Sequence, residues 1–302
     1  MKLKKLIKTA REISEPYCVT KGEKFRLKDV DPTDTGGFSS EDKPRAQETL
    51  AAGIQTLEQL QDMLYAQDCW AVLLIFQGMD AAGKDGTIKH VMSGVNPQGC
   101  QVYSFKAPSA EELEHDFLLR CVARLPERGN IGIFNRSYYE EVLVVRVHDD
   151  LLQTEKLPPR LVTKDIFEDR FDDIRHLERY LTRNGVVIRK FFLHISKKKQ
   201  KERFLERIET PSKNWKFSAR DVLERARWRD YMAAYEDMIQ HTATPDSPWY
   251  VVPADHKWFT RLVVAGAVVE TLAGLDLQFP KLDRAKRKEL EVARATLERE
   301  RG

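Results

Sequence analysis

Apolar positions along this chain fall into two alternating rhythms. Between residues 45 and 67, Leu50, Ile54, Leu57, Leu60 and Leu64 recur at intervals of three and four, which predicts an amphipathic helix. Directly after it, AVLLIFQG is an uninterrupted apolar run ending on glycine, the pattern of a strand covered on both faces, Ala71 to Phe76. Further runs of this kind are GCQVYSF near 99–105, IGIFN at 131–135, VVIRKFFLHI at 186–195 and WYVVPA at 249–254. Helical spacing fills the intervals at 110–125, 160–184, 197–209, 218–242 and 256–274. Strands alternating with helices predict a doubly wound α/β fold, a parallel sheet with helices on both faces. Residues 1–44 lack a clean period and read as a basic arm and loops packed on the domain surface. From about residue 281 a charged helix follows, which caps the domain, meets a partner chain or stays solvated. No repeat or low-complexity linker divides the rest, so residues 45–280 form one domain between a 1–44 arm and a 281–302 tail.

Charge and composition narrow the functional classes. The 302 residues hold 50 basic and 47 acidic side chains, a net charge of only +3, which argues against a nucleic-acid coat protein. A local basic groove for an anionic substrate stays open, because net charge is silent about clustering. Cys18, Cys69, Cys100 and Cys121 form no C-x-x-C pair and no zinc spacing, so free thiols are expected. The basic start MKLKKLIKTAREI has no secretory apolar region behind it, and no apolar run approaches the roughly 18 residues of a membrane span. A cytoplasmic protein without membrane or nucleic-acid partners is the expectation.

Candidate chemistry begins where the strongest strand ends. GMDAAGKDGT places Gly78, Gly83 and Lys84 in the G-x-x-x-x-G-K spacing of a P-loop. Small residues let the backbone N–H groups of Gly78, Ala81, Ala82, Gly83, Asp85, Gly86 and Thr87 turn inward around phosphate oxygens. The next helix offers its positive end, and Lys84 reaches the transferring group as a point charge. Asp85 stands where a P-loop usually has Ser or Thr on Mg²⁺, and a carboxylate also suits that hard cation. Asp80, inside the loop, is assigned to Mg²⁺ binding, with Mn²⁺ as an alternative, or to orienting the acceptor phosphate. Lys89 either reaches a phosphate chain or is a surface lysine.

A second polar cluster follows IGIFN. Ligands in open parallel sheets bind at the carboxyl ends of strands, so Asn135 and Arg136 should lie beside the P-loop. Asn135 replaces the usual metal-binding Asp, and Glu140 or Glu141 is the candidate to supply the missing carboxylate. Arg136 either stabilises charge on phosphoryl oxygens or forms an ordinary ion pair with Glu140. Phe105 either stacks on a base or packs in the core, with Lys106 beside it as a cation for the nucleotide. Residues 197–221 read as a hinged basic lid: Arg203 and Arg207 share a helix face, and Lys213 and Lys216 sit in the Thr210-Pro211-Ser212 break.

Together GMDAAGKDGT, FKAPS (105–109), EHDFLLR (114–120), FNRSYYEEVLVVRVH (134–148) and the lid pattern from Arg203 to Asp221 resemble the second polyphosphate kinase family, as does W-x-x-Y-x-x-x-Y-E at Trp228 to Glu236. The resemblance covers roughly residues 45–275. It implies a P-loop kinase-like three-layer α/β/α sandwich with a helical lid. The implied activity moves the terminal phosphoryl group of inorganic polyphosphate to AMP, ADP or both, with Mg²⁺ and in a homo-oligomer, a dimer or tetramer. It also implies that Arg136 contacts the transferring group and that Arg203 and Arg207 face polyphosphate. FNRSYYE resembles the subgroup using both acceptors, because the ADP-specific form reads Asp for Asn135 and Asn for Glu140. Guanine nucleotides are further candidate acceptors. Two other readings are an ATP-dependent nucleoside monophosphate kinase of thymidylate-kinase type and a non-catalytic polyphosphate-binding protein.

Overall fold

A computed structural model of the chain describes residues 3–39 and 41–300; residues 1, 2, 301 and 302, the ends of the expected arm and tail, and Ser40 lie outside it. In chain order the elements are α1 (Leu3–Ser14), β1 (Cys18–Val19), α2 (Lys43–Gln67), β2 (Ala71–Gln77), α3 (Lys84–Val91), β3 (Cys100–Ser104), α4 (Leu119–Val122), β4 (Ile131–Asn135), α5 (Glu140–Val147), α6 (Ile166–Arg183), β5 (Val186–His194), α7 (Lys197–Glu209), α8 (Ala219–Ala226), α9 (Trp228–Thr242), β6 (Trp249–Pro253), α10 (Lys257–Ala273) and α11 (Arg284–Leu297). The sheet order is β1-β6-β5-β2-β4-β3, parallel except for the short β1. All seven residues of β2 are buried, as the central strand of a sheet covered on both faces must be. One helical layer holds α1, α2, α3 and α10; the other holds α5, α6 and α9.

The arm is more ordered than its sequence suggested. Helix α1 lies along α10, and Gly266 makes the approach possible: a Cβ there would sit 2.7 Å from the Ala10 carbonyl oxygen. Helix α10 is consequently buried along most of its length, between α1 and α2 outside and the sheet inside. That explains its all-round apolar character, which helical periodicity alone left open.

Two expected helices change. The 110–125 segment holds only a 3₁₀ turn at Glu112–Glu114 and the single turn of α4. Polar side chains there bond to the backbone in place of the helix ladder: Glu112 accepts from Ser109 N at 2.8 Å, and Asp116 accepts from Leu118 N at 3.0 Å. The 218–242 segment divides at Arg227 into α8 and α9. Helix α8 opens on a capping box between Ser218 and Asp221.

Candidate active site

The sheet register gathers the chemistry. Strand β2 lies between β4 and β5, with Phe76 opposite both Asn135 and Phe191. Here the winding changes direction, so the carboxyl ends of the three strands open onto one crevice. The loop after β2 needs unusual backbone: Gly78 has φ +153°, Ala81 +62° and Gly83 +107°. A Cβ on Gly78 would also lie 2.9 Å from the Leu193 carbonyl oxygen, so only glycine lets the loop leave the sheet here. Helix α3 then starts at Lys84 and directs its amino end into the loop.

Lys84 is buried, and its Nζ donates to the carbonyl oxygens of Gly78 (2.5 Å) and Met79 (3.4 Å). Burial lowers its pKa to about 8; Arg136 adds to the lowering, while Asp80, Glu140 and Asp85 oppose it. Arg136 sits just past β4 with φ +65°, a costly conformation for a branched-chain-sized residue, fixed by its N–H donating to the Phe76 carbonyl at 2.9 Å. Its guanidinium bridges two carboxylates, Asp80 at 2.9 Å and Glu140 at 3.4 Å. The ion pair with Glu140 therefore exists and stands inside the site. Gln77 Nε2 holds the other oxygen of Glu140 at 3.1 Å. Asn135 Nδ2 donates to Asp85 Oδ1 at 2.8 Å, tying the strand end to the first turn of α3.

Of the two acids at the start of α5, Glu140 belongs to the crevice. Glu141 turns into the helical layer, where Arg170 donates to it at 2.6 Å. Burial and neighbouring Glu155 push its pKa up, against the pull of Arg170.

Four residues expected near ligands, Arg203, Phe105, Lys89 and Lys106, take the following places. Arg203 is held by protein carbonyls rather than standing free on a lid, and it borders the cavity beyond the loop. It is buried beneath the P-loop, where Nη1 donates to the carbonyls of Ala81 and Ala82 (both 2.9 Å) and Nη2 to those of Ala254 (2.6 Å) and Asp255 (3.1 Å). One nitrogen thus holds two carbonyls of the loop and the other two carbonyls just past β6, so Arg203 ties the cradle to the sheet from below. Phe105 is buried and packs at a steep angle against Phe134, with centroids 4.9 Å apart and Arg120 over its ring, in line with the core reading. Lys89 is a surface lysine on α3. Lys106 is likewise exposed, and its carbonyl accepts from Arg120 at 2.9 Å.

The lid is α7, the 3₁₀ turn Pro211–Lys216 and α8. Lys216 Nζ approaches Asp85 Oδ2 to 3.9 Å across the mouth of the loop. Arg207 lies 3.9 Å from Asp221, and Lys213 bonds Glu206 at 2.5 Å. Asp221 lies close enough to Asp80 for that charge to raise its pKa, second to burial. Glu224 latches α8 to the body: His148 Nε2 lies 2.7 Å from Oε2, and Tyr231 Oη donates to the same oxygen at 2.7 Å. Arg225 donates to Gln200 Oε1 at 2.9 Å, and Gln200 Nε2 donates to the Asp80 carbonyl at 3.0 Å, linking lid to loop. Gln77, Gln200 and Glu224 escaped sequence reading, and His148, though it ends the 134–148 stretch, was given no role. None belongs to a phosphate motif, and only tertiary contact brings them to the loop. Beside Arg203 a cavity of about 400 Å³ opens, where Lys43, Lys199, Lys257 and Arg261 outnumber the acids Glu202, Glu206 and Asp255.

An anion cradle of backbone amides, a lysine within it, an arginine clamped by acids beside it and a basic lid above define a P-loop phosphotransferase. The family described as Polyphosphate kinase 2 (PPK2) matches residues 40–280, and the chain belongs to that family. An ADP-polyphosphate phosphotransferase of Rhodopseudomonas palustris is 52% identical over 277 residues, covering 89% of this chain and 96% of its own. An AMP/ADP-polyphosphate phosphotransferase of Meiothermus ruber is 44% identical over 272 residues, covering 90% of this chain and 97% of its own. The crystal structure of polyphosphate kinase 2 from Arthrobacter aurescens superposes with a TM-score of 0.84 at 40% identity, covering 94% of this chain and 98% of that one.

Proposed function

We propose that the chain transfers the terminal phosphoryl group of inorganic polyphosphate to AMP and to ADP, giving ADP and ATP, and that the reaction is reversible. An oxygen of the acceptor's last phosphate attacks the terminal phosphorus of the chain. The P–O–P anhydride breaks and leaves polyphosphate one unit shorter. The observation that carries this reading is Lys84 inside the loop facing the Arg136–Asp80–Glu140 cluster across one crevice. Two polyanions must meet there, so positioning and charge neutralisation do most of the catalysis. Donor phosphates lie in the loop, and the longer chain runs toward the basic cavity beyond Arg203. The acceptor phosphate lies against Arg136, with Lys216 and Arg207 closing over both.

Mg²⁺, or Mn²⁺ in its place, fits the donor set. Among the described residues no three metal-binding side chains cluster, but Mg²⁺ needs only one or two carboxylates beside substrate phosphates and water. Asp80 and Asp85 are the carboxylates that flank the loop. The ion would neutralise charge on the phosphoryl oxygens.

Acceptor choice rests on residues 135 and 140. The relative at 52% identity is named for ADP and the one at 44% for AMP and ADP, so overall identity does not select the acceptor. Here the strand end is neutral Asn135, and the acid stands at Glu140, held by Gln77 and Arg136. That relocation favours use of both acceptors, with guanine nucleotides as further candidates. Assembly as a dimer or tetramer is part of the proposal; Trp215 and Leu223 leave apolar surface on the lid for it. Among the described residues no helix is long and apolar enough to cross a membrane, and we place the activity in the cytoplasm, where nucleotide pools lie.

The test is an acceptor screen of AMP, ADP, GMP and GDP with polyphosphate and Mg²⁺, read by nucleotide chromatography, with ATP as competing donor. Faster AMP phosphorylation from ATP than from polyphosphate would replace this reading with the monophosphate kinase. No turnover from either donor would leave only a binding protein.

A further inference from the structure

Behind the Arg136–Glu140 turn lies a polar cluster that phosphate chemistry does not use. Lys190, in the middle of β5, is wholly buried. Its three protons go to Glu178 Oε2 (2.6 Å), Tyr139 Oη (3.0 Å) and the Thr242 carbonyl (2.8 Å). Glu178, on α6, accepts at Oε1 from both Tyr138 (2.9 Å) and Tyr139 (2.7 Å). Ser247 Oγ completes Oε2 at 2.8 Å. Tyr138, Tyr139, Glu178 and Lys190 are each no more than 2% exposed.

Stability alone gives a weak reason for such a cluster. A buried ion pair loses its hydration, and a packed apolar pair of similar volume often holds a fold as well. What apolar packing does not provide is a fixed acceptor. Two consecutive tyrosines enter the core at different angles, yet both hydroxyls converge on one carboxylate oxygen. That convergence fixes the rotation and depth of the turn carrying them. The same turn holds Arg136 in a left-handed conformation, two residues before Tyr138, and presents Glu140 directly after Tyr139. Strained backbone persists only where its surroundings over-determine it.

We propose that the Glu178–Lys190 pair, acting through the hydroxyls of Tyr138 and Tyr139, is a positioning device that sets where Arg136 and Glu140 stand toward the acceptor nucleotide. This rests on the reading that those two residues meet the acceptor phosphate.

The test is the double variant Tyr138→Phe/Tyr139→Phe in the full chain, assayed with polyphosphate and Mg²⁺. Its readouts are the KM for each acceptor and the AMP-to-ADP ratio of kcat/KM, neither of which depends on the folded fraction. The expected result is a rise in both KM values of about fivefold and a ratio shifted about threefold, with the thermal midpoint lowered by only a few degrees. Val268→Ala, a core deletion in α10 on the opposite face of the sheet, should lower stability and leave the ratio at its parent value. Unchanged KM values and ratio in the tyrosine variant, with only Vmax reduced, would overturn the proposal. If that variant does not fold, Glu178→Gln, which keeps the shape and loses the charge, is read by the same criteria. Arg136→Ala separates the two claims. Should it leave both readouts unmoved, the acceptor reading falls and the positioning role with it. Should it move them while the tyrosine variant does not, the positioning role alone is lost.

Discussion

The P-loop and the lid meet across one crevice, with Lys216 3.9 Å from Asp85, and are built differently. The loop is mostly backbone. Its glycines, its strained Ala81 and its one lysine are held by buried neighbours: β2 and β5 below, Arg203 beneath, Gln200 at the side. The lid is side chains on short helices. Lys213, Trp215, Lys216, Val222 and Leu223 are exposed, and a few polar contacts, chiefly at Glu224, tie α8 to the body. A phosphate cradle needs donors already in place when charge develops, so it must be rigid. A cover over a substrate that enters as a chain must open, so it belongs to the weakly held part of the molecule. The two arginines of one helix show the contrast within a single turn: Arg203 locks into four carbonyls, and Arg207 reaches only a partly exposed acid across the lid.

Four substitutions sharpen or break this division, the largest effect first. Lys84→Ala should lower phosphoryl transfer by about 10³-fold or more with the fold intact, because the loop loses its only side-chain cation. A near-parental initial rate would show that transfer does not occur at the loop. Arg203→Ala should cost about 2–4 kcal/mol of stability and reduce turnover about a hundredfold, since carbonyls of the cradle lose a charged donor in a buried place. Denaturant unfolding beside the rate assay measures both; unchanged stability would return Arg203 to the lid. Glu140→Asn should reduce kcat/KM for AMP about tenfold more than for ADP. Equal losses on both acceptors would detach acceptor choice from that position. Lys216→Ala should raise the KM for polyphosphate only about two- to fivefold, leave kcat near its parent value, and matter less as salt is added. A large, salt-independent loss in kcat would make the lid tip part of the rigid machinery.

Much of the fold was legible because burial writes itself into periodicity. Four of the five long strands announced themselves as covered apolar runs; β3 was found at its place but is an exposed edge strand, not one covered on both faces. The 110–125 stretch has helical spacing but few buried residues to reward it, so local bonds from Glu112 and Asp116 decide its shape. Helix α1 was missed although Leu3, Leu6, Ile7, Ala10 and Ile13 keep helical spacing, because its basic residues and the loops behind it hid that face, and its partner α10 lies some 250 residues away. In the site, Asp80, Lys84, Arg136 and Glu140 were readable, since a glycine-rich strand end demands particular residues at fixed steps. Arg203 was assigned to the lid and Phe105 left open between base and core for one reason: a charge or a ring near a motif looks the same in sequence whether it faces substrate or protein.

By itself the amino-acid sequence determined where the loop would leave the sheet, because Gly78 and Gly83 adopt positive φ without strain and the following helix supplies aligned amides. It determined where the long strands lie and that they alternate with helices, while their order in the sheet came from the structure. Tertiary structure alone decided which acid enters the crevice, which arginine supports and which one covers, and what anchors the Arg136 turn. Those outcomes depend on where side chains from distant segments meet, and a side chain's chemistry does not say which of two neighbours it will reach.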